Sequence, residues 1–343
     1  MAYGTVNADV IGTSVAGSNL GAGNASIMKN RIINGAMVID QRNAGASVGT
    51  GTLYTIYTVD RWQASYSAAS KYTIQQNAGS VTTPVGFTNY LGLTSSSAYS
   101  VGSSDYFGIQ QVVEGYNIAD LGWGTANAKT ITISFWVYSS LTGTFGGALQ
   151  NSGGNYNYPF SYTITSANTW QQISITIAGP TSGSWNTTNG AGIYVFFSIG
   201  TGTTYSKTAG TWASPLAFSS TGATSVVGTS GATFYITGVQ LEVGSSATGF
   251  EYRQYSQELA LCQRYYQSSP YGTTSYGSSA GYSRGYSSFK VTMRTTPTIA
   301  FVDLGSGGSS IGSSAYVDGL SNTYGSLSAS GAGTYSWTAN SEL

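Results

Sequence analysis

Apolar residues recur at every second position over much of the chain. Ile131, Ile133, Phe135 and Val137 share one face, with Thr132, Ser134, Trp136 and Tyr138 on the other. Ile173, Ile175 and Ile177 repeat the scheme, as do Ile193, Val195, Phe197 and Ile199. A period of two sends alternate side chains to opposite sides of an extended backbone, so each run predicts a β-strand. Between Phe234 and Val243 the apolar phase shifts at Gly238, which predicts a β-bulge at that glycine. Earlier strands are expected over 60–66, 71–76 and 106–113. Gly-, Ser- and Asn-rich turns separate these runs and no long helical pattern interrupts them. The expectation is an all-β protein, with two antiparallel sheets packed face to face as a jelly-roll sandwich.

The pattern changes at both ends. Residues 1–30 are small and polar, with isolated apolar positions at Val6, Val10, Ile11, Val15 and Leu20. That is too little for a core, so this stretch is expected to be an attachment arm lying on another subunit or partner. The jelly-roll domain is placed at 31–255. One helix is expected over 256–267, with Ser256 as N-cap, Glu258 in the first turn, and Leu259, Cys262 and Tyr266 at helical spacing. A small C-terminal β-domain follows at 268–343. There Phe289, Val291 and Met293 alternate, a Thr295-Thr296-Pro297 turn follows, and Ile299 and Phe301 alternate again, which predicts a hairpin. No repeat of roughly 20–50 residues is visible, which argues against a solenoid or propeller.

Composition narrows the function. Only 7% of residues are charged, against roughly 25% in an average domain. With 47 Gly and 27 Tyr among abundant Ser and Thr, the surface is solvated by hydroxyls and amides. A hydrophobic content of 41% opposes disorder. The 12 Lys and Arg balance the 12 Asp and Glu, leaving no cationic excess to meet phosphates, so neither nucleic acid nor a membrane surface is an expected partner. Histidine is absent, which excludes Ser-His-Asp and Cys-His catalysis and His-containing zinc sites. The single cysteine, Cys262, excludes an intrachain disulfide and is expected to be a small buried hydrophobe. The N-terminus does not read as a signal peptide, and no run approaches the roughly 18 apolar residues of a membrane span. Phosphate-cradling glycine motifs are missing, so no cofactor is expected.

Three residue classes remain as candidate chemistry. A polysaccharide depolymerase needs paired carboxylates, and Asp40, Asp60, Asp105, Glu114, Asp120, Glu242 and Glu251 fall in the sandwich region. Several stand beside opposite charges in sequence, Asp40 near Arg42, Asp60 near Arg61 and Glu251 near Arg253, so structural ion pairing is the expected use and no catalytic residue is assigned. No Asp-rich calcium loop is present and no metal ligand is assigned, although scattered Asp, Asn and carbonyl groups leave a structural calcium ion open. The aromatic residues are the third class. Trp123, Trp185 and Trp212 lie in Gly/Ser/Asn-rich stretches, either as platforms for the apolar face of a sugar ring or folded back over the edge of the core. Tyr271, Tyr276, Tyr282 and Tyr286 stand in a Gly/Ser background, a combination suited to adaptable recognition or to packing between subunits. The helix stripe of Leu259, Cys262 and Tyr266 is the candidate oligomer interface.

Three stretches carry a resemblance. Met1-Ala2-Tyr3-Gly4-Thr5-Val6-Asn7-Ala8-Asp9-Val10-Ile11 resembles the start of tail-fibre proteins from phages of aquatic bacteria, including cyanophages. Asn30-Arg31-Ile32-Ile33-Asn34-Gly35-Ala36-Met37-Val38-Ile39-Asp40-Gln41-Arg42-Asn43, followed by Tyr57-Thr58-Val59-Asp60-Arg61-Trp62, resembles the entry to a carbohydrate-binding-module-like jelly roll of phage structural proteins. Residues 240–253 running into 258–266 are similar to the way such modules end. The resemblance implies a virion protein made in a bacterial cytoplasm, usually a homotrimer, held to other virion proteins by its arm. A tail fibre or receptor-binding protein attaching to host surface polysaccharide is the leading expectation. A capsid fibre, decoration or baseplate component is the alternative, and a depolymerase comes third.

Overall fold

The computed structural model describes residues 29–51, 55–269, 275–276, 283–303, 310–325, 332–333 and 335–343. The expected arm therefore lies outside the described residues, apart from Lys29 and Asn30. The chain divides into two compact units, one running up to Val38 and then from Gly45 to Tyr252, the other made of Ile39–Ala44 and Arg253–Leu343.

Among its described residues the first unit holds fourteen strands: β1 Val48–Gly49, β2 Thr55–Tyr57, β3 Gln63–Tyr66, β4 Tyr72–Gln76, β5 Leu91–Ser95, β6 Tyr106–Glu114, β7 Ile131–Ser139, β8 Gly143–Asn151, β9 Asn157–Ile164, β10 Gln171–Ile177, β11 Ala191–Thr201, β12 Ser206–Lys207, β13 Ser219–Ser220 and β14 Thr233–Val243. Twelve of them form two six-stranded sheets in the orders β1-β4-β5-β14-β7-β10 and β2-β3-β6-β11-β8-β9. All pairings within these two sheets are antiparallel. This is the jelly-roll sandwich that the alternation predicts.

The core lies between the sheets. Ile131, Ile133, Phe135 and Val137 from β7 are buried there together with Ile193, Val195, Phe197 and Ile199 from β11. Phe135 and Phe197 join the two sheets edge to face, with ring centroids 5.0 Å apart at 76°. Strand β10 covers the sheet edge less completely: only Ile177 is fully buried, and Ile173 and Ile175 are half-buried.

The bulge falls where the apolar phase breaks. On β14 Thr237 pairs with Trp136 and Gln240 with Ser134, so three steps on one strand match two on the other. Gly238 adopts φ +61° there, and a Cβ on it would stand 2.6 Å from the Phe87 ring. The stretch 30–35 then runs alongside the bulged segment. Arg31 N–H donates to Leu241 O at 2.9 Å and Val239 N–H donates to Gly35 O at 3.0 Å. The Asn30 side chain completes the seam, donating to Val239 O and accepting from Ile32 N–H and Leu241 N–H. Asn34 accepts the Trp62 indole N–H at 3.0 Å. The stretch 30–35, part of one motif that carries the resemblance, is thus tied to β14 at the bulge.

The second unit departs from expectation in three places. Its helix, α1, spans Tyr255–Gln263 with Gln254 at the cap position, so it begins one residue before Ser256 and ends four residues early. Tyr266 belongs instead to β15, Tyr266–Ser269, with the Arg42 guanidinium 3.6 Å above its ring. The stripe of Leu259, Cys262 and Tyr266 is consequently not a free helical face. Cys262 is fully buried and Leu259 is half-buried. The remaining strands are β16 Ser275–Tyr276, β17 Ser283–Ser288, β18 Thr298–Asp303, β19 Ser310–Ala315, β20 Gly319–Gly325, β21 Ala332–Gly333 and β22 Tyr335–Asn340.

The expected hairpin of 289–293 with 299–301 does not form. Strand β18 pairs with β22 in the sheet β15-β22-β18. Residues 289–293 are irregular, and Met293 is buried with Leu320, Trp337 and Ala339 while Phe289 packs against them. Alternation there reflects a connection draped over a small core. Finally, residues 39–44 count with the second unit, which a single cut near residue 255 does not anticipate. Among the described residues no helix is long and apolar enough to cross a membrane.

Candidate functional site

Trp123, Trp185 and Trp212 come from loops far apart in the chain and meet in one cluster. Ring centroids are 4.7 Å apart for Trp123 and Trp185, 5.3 Å for Trp123 and Trp212, and 5.4 Å for Trp185 and Trp212, each pair edge to face. Tyr156 extends the cluster, its ring 6° from parallel with that of Trp212 at 5.8 Å, and Tyr158 adds a tilted contact at 5.2 Å. Burial pushes the Tyr158 phenol above its ordinary pKa, so the hydroxyl stays neutral.

Backbone carbonyls hold each indole. Trp123 donates to Lys129 O at 2.9 Å, Trp185 to Ser182 O at 3.2 Å and Trp212 to Ala178 O at 2.7 Å. The loops are tied to one another as well. Gly124 N–H donates to Pro180 O, and Asn157 and Ala213 exchange both backbone hydrogen bonds. The hydroxyls of Tyr156 and Ser182 lie 2.9 Å apart. Gly183 makes this packing possible. It adopts φ +90°, and a Cβ on it would lie 3.0 Å from the Tyr156 ring and 3.2 Å from Trp185 Nε1.

The three tryptophan side chains fold back over the edge of the core. Trp123 is buried and belongs to the core, and Trp185 and Trp212 pack against it, so the cluster seals one end of the sandwich. Trp185, Trp212 and Tyr156 nevertheless keep part of their surface open, and Asn155, Ser182, Ser184 and Thr187 nearby in the chain are exposed. The indole N–H groups are committed to carbonyls, so the open part of the tryptophans carries no free donor. Such a surface suits the apolar C–H face of a pyranose, with rim amides and hydroxyls left to read its hydroxyls. Tyr156 and Tyr158 are the site residues that the sequence reading missed. The signal was present, since Asn155-Tyr156-Asn157-Tyr158 follows Gly153-Gly154 and repeats the composition around the tryptophans.

The tyrosine candidates divide differently. Tyr271 and Tyr282 lie outside the described residues, and Tyr276 lies in β16. Tyr286, on β17, is 52% exposed. A further aromatic group was unforeseen: Tyr138 and Tyr235, cross-strand partners on β7 and β14, stack at 5.2 Å with planes 9° apart, closed over by Tyr90 and Trp170. Tyr90 and Tyr235 are almost wholly buried, so this is a small second core on the outer face of that sheet.

Asp40, Asp105, Asp120, Glu242 and Glu251 are engaged within the fold. Asp120 pairs with Arg31 at 2.8 Å and Lys129 at 3.7 Å. Arg42 pairs with Glu342 and Arg253 with Glu258. Glu242 accepts from Gln240 and twice from Thr248, and Glu251 accepts from Asn30 N–H. Asp40 accepts from Asn43 N–H. Burial works to raise the Asp105 carboxyl, but hydrogen bonds from Ser67, Gly102 N–H and Tyr99, together with the Lys71 charge, hold it below the usual range. Among the described residues no group of three potential metal-ligating side chains is found.

No protein-family model matches the chain, and no curated protein matches it. Among solved structures it is similar to the enzymatically active domain of tailspike protein 4 of bacteriophage CBA120, at 13% identity and a TM-score of 0.34 over 63% of this chain and 22% of that chain. It is also similar to a putative sugar binding protein from Bacteroides thetaiotaomicron, at 12% identity and a TM-score of 0.35 over 63% of this chain and 100% of that chain. A third is the family 11 carbohydrate-binding module of a cellulosomal cellulase of Clostridium thermocellum, at 10% identity and a TM-score of 0.28 over 60% of this chain and 99% of that chain.

Proposed function

We propose that this chain is a fibre or receptor-binding protein of a phage virion that attaches to host surface polysaccharide, and that it binds sugar without cleaving it. The observation that carries this is the convergence of Trp123, Trp185, Trp212 and Tyr156 at one end of the sandwich, their polar edges satisfied internally and part of their ring surface open. A neutral, hydroxyl-rich surface supports it, because recognition of a neutral polysaccharide needs stacking and hydrogen bonds rather than charge. The structural engagement of Asp105, Asp120, Glu242 and Glu251 favours binding over hydrolysis. The homotrimer belongs to the same proposal, and of the stripe residues Leu259 keeps part of its surface open while Cys262 and Tyr266 are buried.

The test has two arms. The full chain is incubated with polysaccharide purified from the host, and both retention on the polymer and polymer length are measured. Retention with unchanged length is expected, and shortened chains would make it a depolymerase. Antibody labelling of whole virions then locates the protein. Label on tail fibres is expected, and label confined to the head or baseplate would replace attachment with a structural role.

A further inference from the structure

The second unit contains a cleft of about 340 Å³ that the aromatic cluster does not account for. Strand β15 contributes Gln267, Ser268 and Ser269, β17 contributes Tyr286, Ser287 and Ser288, and Lys290 and Trp337 complete the lining. The floor is rigid. Gln267 is committed on both sides, donating to Val291 O at 2.7 Å and accepting from Lys290 N–H at 2.9 Å, so it fixes the backbone that carries the lysine. Trp337 is packed into the small core with Phe289 beside it, their centroids 5.4 Å apart.

Tyr286 is held as well. It lies across Gly319, where a Cβ would stand 2.4 Å from its hydroxyl and 2.7 Å from the Ser287 carbonyl. The ring is thus positioned by contact and still half exposed.

Lys290 is the unusual member. Only 12 cations occur in 343 residues, and several of those described are taken up in ion pairs. Lys290 is exposed and has no ion pair or side-chain hydrogen bond among the described residues. An ammonium group at a cleft is a point charge with three donors, and its complement is a single anionic group. Around it stand serine hydroxyls, which donate and accept, and one flat aromatic face. The volume is at the lower end of small-molecule sites, room for one or two sugar rings.

We infer that this cleft is a second saccharide site, selective for a sugar carrying a carboxylate. Tyr286 covers the apolar ring face, Ser268 and Ser288 meet ring hydroxyls, and the Lys290 ammonium meets the carboxylate. The site is independent of the tryptophan cluster, so either can fail without the other.

Methyl β-glucuronide and methyl β-glucoside differ only in bearing a carboxylate or a hydroxymethyl group at C6, and both are titrated into the full chain. The Trp337 indole N–H resonance reports occupancy and calorimetry the affinity. The glucuronide is expected to bind at least about tenfold more tightly than the glucoside, the scale of one charge-assisted hydrogen bond. Lys290→Gln is expected to remove that preference and Tyr286→Ala to weaken both sugars. Both residues are exposed, so both variants should melt like the parent protein. The Trp337 resonance reads this cleft and not the tryptophan cluster, which keeps the two sites distinguishable. Equal affinity for the two glycosides, a preference that survives Lys290→Gln, or no binding of either sugar would overturn the inference. Inorganic phosphate competing as well as the glucuronide would reduce the cleft to a bare anion site and overturn it too.

Discussion

The rings of Tyr156 and Trp212 lie 6° from parallel with centroids 5.8 Å apart, one immediately before β9 and the other in the loop that follows β12. Behind them Trp123 is buried and only 7% exposed, while Trp185 and Trp212 are partly open. This ordering from inside to outside separates the structural role from the proposed binding role.

Trp123→Ala should therefore cost about 3–5 kcal/mol of stability, the range for deleting a buried large aromatic. Trp185→Ala should cost less, about 1–2 kcal/mol, because less surface is removed from the core. Chemical denaturation of the two variants checks the order. Equal losses would mean that Trp185 is as much a core residue as Trp123.

Gly183 tests the loop geometry. Alanine there must adopt φ near +90°, a strain of about 1–3 kcal/mol, and its Cβ wedges Tyr156 from Trp185. Gly183→Ala should lower the melting midpoint and quench or shift tryptophan fluorescence. An unchanged spectrum would contradict the placement of Gly183 between those rings.

Asn30 tests the seam at the bulge. Its side chain serves Val239 O, Ile32 N–H and Leu241 N–H in a buried setting. Asn30→Ala leaves those groups without that partner, at about 1–3 kcal/mol for each group left unsatisfied. A loss of at least about 2 kcal/mol is expected in denaturant unfolding. A variant as stable as the parent would mean that the seam is replaceable by water.

The pH dependence follows from two opposite shifts. Asp105 is lowered in the folded state. Its contribution is present above the unfolded value of about 3.9 and is lost as pH falls through the folded value. Burial raises the phenols of Tyr72 and Tyr162. Their contribution is complete below about pH 10 and is lost as pH rises beyond it. With no histidine in the chain, the melting midpoint should be flat between about pH 5 and 8, and should fall on the acid side below about pH 4 and on the alkaline side above about pH 10. A change of many degrees within that window would point to a carboxylate shifted far upward.

Much of the sandwich was legible because alternation is a local signal: β7, β10 and β11 stand where Ile131, Ile173 and Ile193 open their runs. The bulge at Gly238 was readable for the same reason, since one inserted residue reverses the side-chain phase. The second unit was less legible. The spacing of Leu259, Cys262 and Tyr266 fits a helix, yet Tyr266 pairs in register with Asn340, a partner that no local pattern announces. Alternation at Phe289, Val291 and Met293 was equally local, whereas tertiary contacts with Trp337 decide their conformation. For the candidate site, residue type marked the three tryptophans, but their meeting depends on the connections after β6, β10 and β12 and on the turn at Gly183, which fix direction rather than identity.

The central claim is that the open aromatic surface binds polysaccharide, and it is tested by titrating the parent protein and the Trp185→Ala/Trp212→Ala double variant with purified host polysaccharide. Calorimetry should show saturable binding by the parent and at least about a tenfold loss in the variant, the weight of roughly 1.4 kcal/mol of lost contact, with the variant still cooperatively folded. Undiminished binding by a folded double variant would contradict the account and move recognition away from this end of the sandwich.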